Sequence, residues 1–263
     1  MDFSSYKRHI ETLAQEASGK TAVYICTPDG EIKINEAERM QAASVIKVPI
    51  VMAGLHASDQ GMLDLNKKVV VQDKVAGTGV LNYLSGNMEL SILNMMTLAL
   101  IVSDNTASNL LIHEIGRENI NAFCQKAGAS QTVLGRYFMD HEAMERGIDN
   151  YTSAGDMIRF FRLIGHENKL LSNESRKVIY QMLENQQFRE KLAAHQAMFH
   201  DKVSIANKTG ELNGIQHDVG MFTFENRQVY AAILSSNWNN NYQGREFISQ
   251  IGKLTIEYMT ATE

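Results

Sequence analysis

Ser44 and Lys47 stand three residues apart in Met40-Gln-Ala-Ala-Ser-Val-Ile-Lys-Val-Pro-Ile-Val-Met52, a spacing that puts both on one face of a helix. A serine hydroxyl attacks a carbonyl only when a neighbour takes its proton, and a lysine can do so only where its surroundings disfavour its own charge. The pair is therefore a candidate nucleophile and base for acyl transfer, with Lys47 reaching back to the Ser44 hydroxyl. Taken alone, the pair reads first as a capped helix followed by a lysine whose stem lies along apolar surface.

Two further motifs weigh against the plainer reading. Ser103-Asp104-Asn105 falls at the junction of two helical patterns, and Lys208-Thr209-Gly210 at the end of the first strand-like run near the C-terminus. The ordered set S-x-x-K, S-D-N and K-T-G resembles the class A β-lactamases, within the wider superfamily of β-lactamases and penicillin-binding proteins. The likeness extends from the first helix to the last.

The resemblance implies a division of labour. Ser44 would attack an amide carbonyl, and the backbone N–H groups of Ser44 and Glu211 would stabilise the oxyanion. Lys47 would shuttle the proton, kept partly neutral by the charge of Lys208. Ser103 would relay it to the leaving nitrogen, Asn105 would hold a substrate amide, and Asp104 would orient the motif's backbone. Lys208 and Thr209 would face a substrate carboxylate, Gly210 would let the substrate backbone approach, and Tyr83 would line the entrance. The implied substrate is a small anionic β-lactam or peptide-like amide, with no cofactor and no metal. A D-alanyl-D-alanine peptidase, an esterase or amidase, or a sensor that acylates without turnover shares the same equipment.

One stretch departs from the family. Class A enzymes carry a glutamate for deacylation in a loop before the third motif, within a glutamate-proline-x-leucine-asparagine string. Here the region runs Gly135-Arg-Tyr-Phe-Met-Asp-His-Glu-Ala-Met-Glu-Arg-Gly147, and that string is absent. Glu142 is the first candidate for the base, with Asp140 next and Glu145 after it; the alternative is a solvated loop with helix-capping charges. The loop decides between hydrolysis and a stalled acyl-enzyme, because release requires a base positioned over a water.

Other signals carry less. His141-Glu-Ala-Met-Glu145 lacks the second histidine of a zinc helix. His195 and His200 are not spaced for one helix face. Gly77-Thr78-Gly79 reads as a loop near the cleft, and His217-Asp218 either braces the site as a pair or sits on the surface. No arginine occurs on the strand after Lys208-Thr209-Gly210, where the family often adds one for the carboxylate.

These residues need elements to hold them. Helical periodicity from Tyr6 to Ala17, closed by Gly19, precedes a hairpin, Ala22–Thr27 and Glu31–Ile34, turning at Pro28-Asp29-Gly30. Helical patterns dominate from Val48 to about His200: 90–102, 106–115, 120–127, 153–164 and 174–185. Three strand-like runs beginning at Val203, Val219 and Val229, with a turn at Glu225-Asn226-Arg227, lead to a last helix through Phe247 and Tyr258. The expected fold class is α+β: an antiparallel sheet built from both chain ends and flanked by the terminal helices, with a large helical insertion and the site in the cleft between. As domains this divides into residues 1–43 plus 201–263 and a helical region 44–200, forming one compact unit.

Composition agrees with a folded enzyme. Charged residues make up 21% and hydrophobic residues 44%, with a net charge of -5, which excludes a disordered chain and argues against nucleic acid or an anionic membrane as partner. Cys26 and Cys124 read as free core thiols. The N-terminal residues lack a signal-peptide pattern, and no apolar run spans a bilayer. The expectation is a cytoplasmic monomer as written, or a secreted one if the chain is a processed form.

Overall fold

The structure, a computed structural model, describes residues 1–199 and 202–261; His200 lies outside them. Helix α1 (Phe3–Glu16) starts where Asp2 accepts the Ser5 N–H, and it buries Tyr6 and Ile10. It ends before Gly19, which serves a different purpose: a Cβ there would lie 2.7 Å from the Trp238 ring. Strands β1 (Lys20–Thr27) and β2 (Gly30–Ile34) form the expected hairpin. Strand β3 (Met40–Gln41) and a single 3-10 turn (Ala43–Ile46) lead into α2 (Lys47–Asp59).

Every residue of α2 from Lys47 to His56 is buried. A helix apolar on all sides belongs at the centre of a helical layer, and its first turn therefore carries Lys47 out of contact with solvent. Around it lie β4 (Lys68–Val70), β5 (Glu89–Ser91), α3 (Ile92–Ile101), α4 (Asn105–Ile115), α5 (Arg117–Lys126), α6 (His141–Glu145), β6 (Tyr151–Thr152), α7 (Ala154–Gly165) and α8 (Asn173–Glu184). The short strands pair β4 with β5 and β3 with β6. Ser91, Asp104, Ser153 and Ser172 each cap the helix they precede.

The C-terminal meander comprises β7 (Ser204–Leu212), β8 (Ile215–Phe224) and β9 (Arg227–Ser236), followed by α9 (Asn241–Thr260). The turn between β7 and β8 is Asn213-Gly214, with Gly214 at φ 70°, a conformation that favours glycine. The five strands run antiparallel in the order β2-β1-β9-β8-β7. One apolar core lies between this sheet and the helical layer; another lies between the sheet and the terminal helices. Lys208-Thr209-Gly210 sits inside β7 and not at its end, since the strand continues to Leu212. β7 forms the sheet's edge, and the 3-10 turn carrying Ser44 packs against it.

Candidate active site

Ser44 is half-buried on the 3-10 turn, directly against β7. A Cβ on Gly210 would lie 3.2 Å from the backbone nitrogens of both Ser44 and Val45, so glycine is what allows strand and turn to approach this closely. The contact brings the first and third motifs together.

Lys47 is fully buried. Its Nζ donates to the Ser103 carbonyl at 2.6 Å, the Ser103 Oγ at 3.1 Å and the Asn105 Oδ1 at 2.8 Å. Among the described residues no hydrogen bond joins it to Ser44, so the expected direct Ser44–Lys47 contact is replaced by contacts to the second motif. Burial, with the charge of Lys208 second, pushes the Lys47 ammonium well below the usual lysine range, while Asp104 opposes the shift. Lys208 is also fully buried and donates from Nζ to the Ser103 Oγ at 3.1 Å. Burial, with Asp218 opposing, brings it down to about 7. The Ser103 hydroxyl thus accepts from two lysines, and its own hydrogen remains available to the cavity it lines.

The second motif is held in place by its middle residue and by a glycine loop. Asp104 accepts from the Ala107 N–H at 2.9 Å, capping α4, and from the Val80 and Leu81 N–H groups at 2.7 and 2.9 Å. Gly79, at φ 120°, passes so close that a Cβ would collide with the Asp104 carboxylate. Asn105 donates to the Ala76 carbonyl at 3.2 Å, and Thr78 lines the cavity. Gly77-Thr78-Gly79 is therefore a cleft loop, as its sequence suggests. Tyr83, expected at the entrance, is 79% exposed and is not among the residues that line the cavity beside Ser44.

The loop before the third motif is closed at its neck. Arg136 donates to the Asp149 carboxylate from Nε at 2.8 Å, and Asn150 accepts the Gly135 and Arg136 N–H groups. Inside the loop, Asn109 of α4 holds Phe138 by both backbone groups, at 2.8 and 3.0 Å. This clamp places the Phe138 ring 4.4 Å from Lys47 Nζ, a cation–π distance. The loop therefore turns an aromatic face, and not a carboxylate, toward the buried lysine.

The three acids weighed for the base lie elsewhere. Asp140 caps α6 by accepting the Ala143 N–H at 2.9 Å. That short helix buries Ala143 and leaves Glu142 and Glu145 exposed. None of the three borders the cavity beside Ser44; His141 does.

The cavity has two lobes that meet at Ser44, Thr78 and Glu211. One is lined by Phe138, Met139, Met144 and Leu212, with Asn105 and the Arg136–Asp149 pair. The other is polar, lined by Ser103, Thr209, Glu190 and Arg245. Glu211 is tied to Arg245 at 2.6 Å and lies 3.7 Å from Lys191. The sequence shows no arginine on β8, but Arg245 reaches the polar lobe from α9. His217 and Asp218 are neither an orienting pair nor surface residues. As neighbours on a strand they point to opposite faces, and both are fully buried. The His217 Nε2–H donates to the Gln41 carbonyl and its Nδ1 accepts the Ser235 N–H, while Asp218 accepts from Asn207 and from the Leu192 N–H. Burial holds His217 down at about 4 and raises Asp218 to about 6.

Among the described residues no group of three or more histidines, cysteines or acids is placed to hold a metal ion, and no helix is long and apolar enough to cross a membrane. Chemically, the arrangement offers a hydroxyl on a tight turn, a buried amine of lowered basicity, a bridging hydroxyl and a cation recessed behind a polar lobe.

Comparison with known proteins follows the same outline. The model of the β-lactamase enzyme family matches residues 5–259. A β-lactamase of Streptomyces lavendulae is 30% identical over 148 residues, 53% of this chain and 48% of that protein, so the match spans about half of the relative's length. Among solved structures, a β-lactamase from Sphaerobacter thermophilus DSM 20745 superposes with a TM-score of 0.88 at 26% identity, covering 100% of both chains. A structure of PBP-A superposes at 0.86 with 24% identity, over 98% of this chain and 96% of the other, and shares the fold.

Proposed function

Because this chain belongs to the β-lactamase enzyme family, we propose that it is a penicillin-recognising serine enzyme that acylates readily at Ser44 and releases the acyl group slowly. Ser44 Oγ attacks the lactam carbonyl. Lys47 takes its proton as the amine that burial and Lys208 favour. The N–H groups of Ser44 and Glu211 stabilise the oxyanion. Ser103, hydrogen-bonded to both lysines, passes the proton to the leaving nitrogen. Asn105 holds the amide of the acyl side chain, and Lys208 and Thr209 take the carboxylate.

The observation that carries slow release is the Phe138 ring over Lys47. Fast hydrolysis of the ester needs a base over a water, and Phe138 offers none. Of the acidic residues that line the cavity, Asp149 and Glu211 are each paired with a cation, and Glu190 lies in the polar lobe, apart from the lobe that Phe138 lines. The substrate class is an acyl donor with a carboxylate on the leaving side: a β-lactam, or a peptide ending in D-alanyl-D-alanine.

Incubation with penicillin followed by intact-mass measurement tests this reading. A one-to-one adduct persisting for minutes is expected, absent in Ser44→Ala. Phe138→Glu should raise turnover of a chromogenic cephalosporin by about a hundredfold, within the range of a positioned general base. Rapid repeated turnover by the unaltered protein would rule out slow release and return Asp140, Glu142 and His141 as bases to test. Absence of any adduct at Ser44 would overturn the serine-enzyme reading itself.

A further inference from the structure

Lys191 has no part in the chemistry above, yet its side chain is fully buried under the strand that flanks Ser44. Its Nζ donates to the Gly210 carbonyl at 2.9 Å and to the His217 carbonyl at 3.3 Å, and lies 3.7 Å from the Glu211 carboxylate. Burying an ammonium is costly, and a strand pair keeps its register without one.

The faces of β7 show what the lysine can do. The missing Cβ of Gly210 would point at Ser44. Side chains alternate along a strand, so the Glu211 side chain leaves on the other face, where it meets Lys191 and Arg245. Gly210 and His217 are cross-strand partners, and one ammonium reaches both of their carbonyls. The Gly210 carbonyl therefore lies toward β8. No peptide among the described residues is cis, and in a trans peptide the N–H points opposite to the C=O. The Glu211 N–H is thus directed away from β8, to the open edge of the sheet beside the Ser44 turn.

We infer that Lys191 is a positioning residue for acyl transfer, holding the Gly210 carbonyl from beneath the sheet so that the Glu211 N–H at the other end of the same peptide is fixed and polarised toward the Ser44 oxyanion. An ammonium donating to the carbonyl oxygen makes that hydrogen bond charge-assisted, and hydrogen bonds in series strengthen one another. Burial lowers Lys191 from the usual lysine range, and the carboxylates of Asp218, Glu211 and Glu190 oppose that shift. The proposal rests on the acyl-transfer reading of Ser44. The charges around Lys191 are those of Asp218, Glu211 and Glu190, with Arg245 and Lys208 as like charges.

The test separates binding from chemistry. Stopped-flow acylation by a chromogenic cephalosporin gives a dissociation constant and an acylation rate constant for the unaltered protein, Lys191→Met, Lys191→Arg and the double variant Lys191→Met with Asp218→Asn. The double variant removes the lysine together with the buried carboxylate whose charge most opposes its loss of basicity, and is expected to fold even if the single one does not, since it leaves neither charge buried without the other. The acylation rate constant should fall about tenfold or more in both methionine variants, a cost in the range set by loss of oxyanion stabilisation. The dissociation constant should stay within about twofold, and Lys191→Arg should recover most of the rate. In Lys191→Met the alkaline limb of the pH profile should move upward, because Lys208 loses a like-charged neighbour. Acylation by the double variant at the unaltered rate, or equal losses in binding and rate, would overturn the proposal. Failure of the unaltered protein to acylate would instead overturn the reading on which it rests.

Discussion

At the scale of single residues, the decisive arrangement is one hydroxyl between two buried lysines. Ser103 Oγ lies 3.1 Å from each ammonium, so the charge of one lysine is felt by the other. Lys208 is held at about 7 against an ordinary 10.5. It therefore loses its proton, and its hold on a carboxylate, as pH rises through that value. In the proposed mechanism Lys47 acts as the amine, and acid removes that form. The second-order acylation constant should accordingly fall toward acid and toward alkali, with the alkaline limb near pH 7 and a drop of about tenfold per unit beyond it. A methyl ester of the same cephalosporin, lacking the carboxylate, should lose the alkaline limb. A flat profile from pH 7 to 9 with the free acid would remove Lys208 as the anion site. Ser44, Lys47, Ser103 and Lys208 can be picked out from sequence because three short motifs occur in order on suitable elements. Phe138 cannot: which loop side chain faces Lys47 depends on Asn109 and on a neck closed between residues 136 and 149, and none of this appears in a local pattern.

At the scale of elements, the second motif is less a cap than a junction. Asp104 binds the start of α4 and, across a long sequence gap, the loop at Val80 and Leu81. Replacing Asp104 with alanine strands three backbone N–H groups. The expected cost is about 2–4 kcal/mol, combining a lost helix cap with buried unpaired donors, and a thermal melt measures it. Acylation should fall as well, because Ser103 and Asn105 flank the same residue. If the melt is unchanged, the loop does not depend on that carboxylate. The elements themselves are largely legible: the hairpin, the meander and the helices α3, α4, α5, α7 and α8 fall within a few residues of their patterns, while the short helix α6 lies in a stretch read as loop. Their mutual contacts are less so. Arg245 lies on α9, far from the motifs in sequence, and reaches the polar lobe only because α9 packs on the sheet beside β8. The opposite charges of Arg136 and Asp149 bracket the loop and are the one signal in the sequence that could have indicated its neck.

At the scale of the whole molecule, the cavity is two-sided about Ser44. One lobe is apolar, with its single arginine neutralised by Asp149; the other holds Thr209 and Ser103 with Lys208 behind them. A substrate should therefore carry its apolar part on the acyl side. Benzylpenicillin should acylate Ser44 about tenfold or more faster than 6-aminopenicillanic acid, which has the same nucleus without the phenylacetyl group, as burial of one ring predicts. Equal rates would mean that the apolar lobe does not receive the acyl side chain. The two ends of the chain complete the molecule on the sheet's far side. Tyr6 of α1 stacks on Tyr258 of α9 with ring centroids 4.6 Å apart, and its hydroxyl bonds Thr255. The start of the first helix therefore lies beside the end of the last, away from Ser44. A short glycine-serine bridge across this point, with new termini opened in the exposed turn at Glu225-Asn226, would give a circular permutant in which all three motifs keep their order around the same cavity.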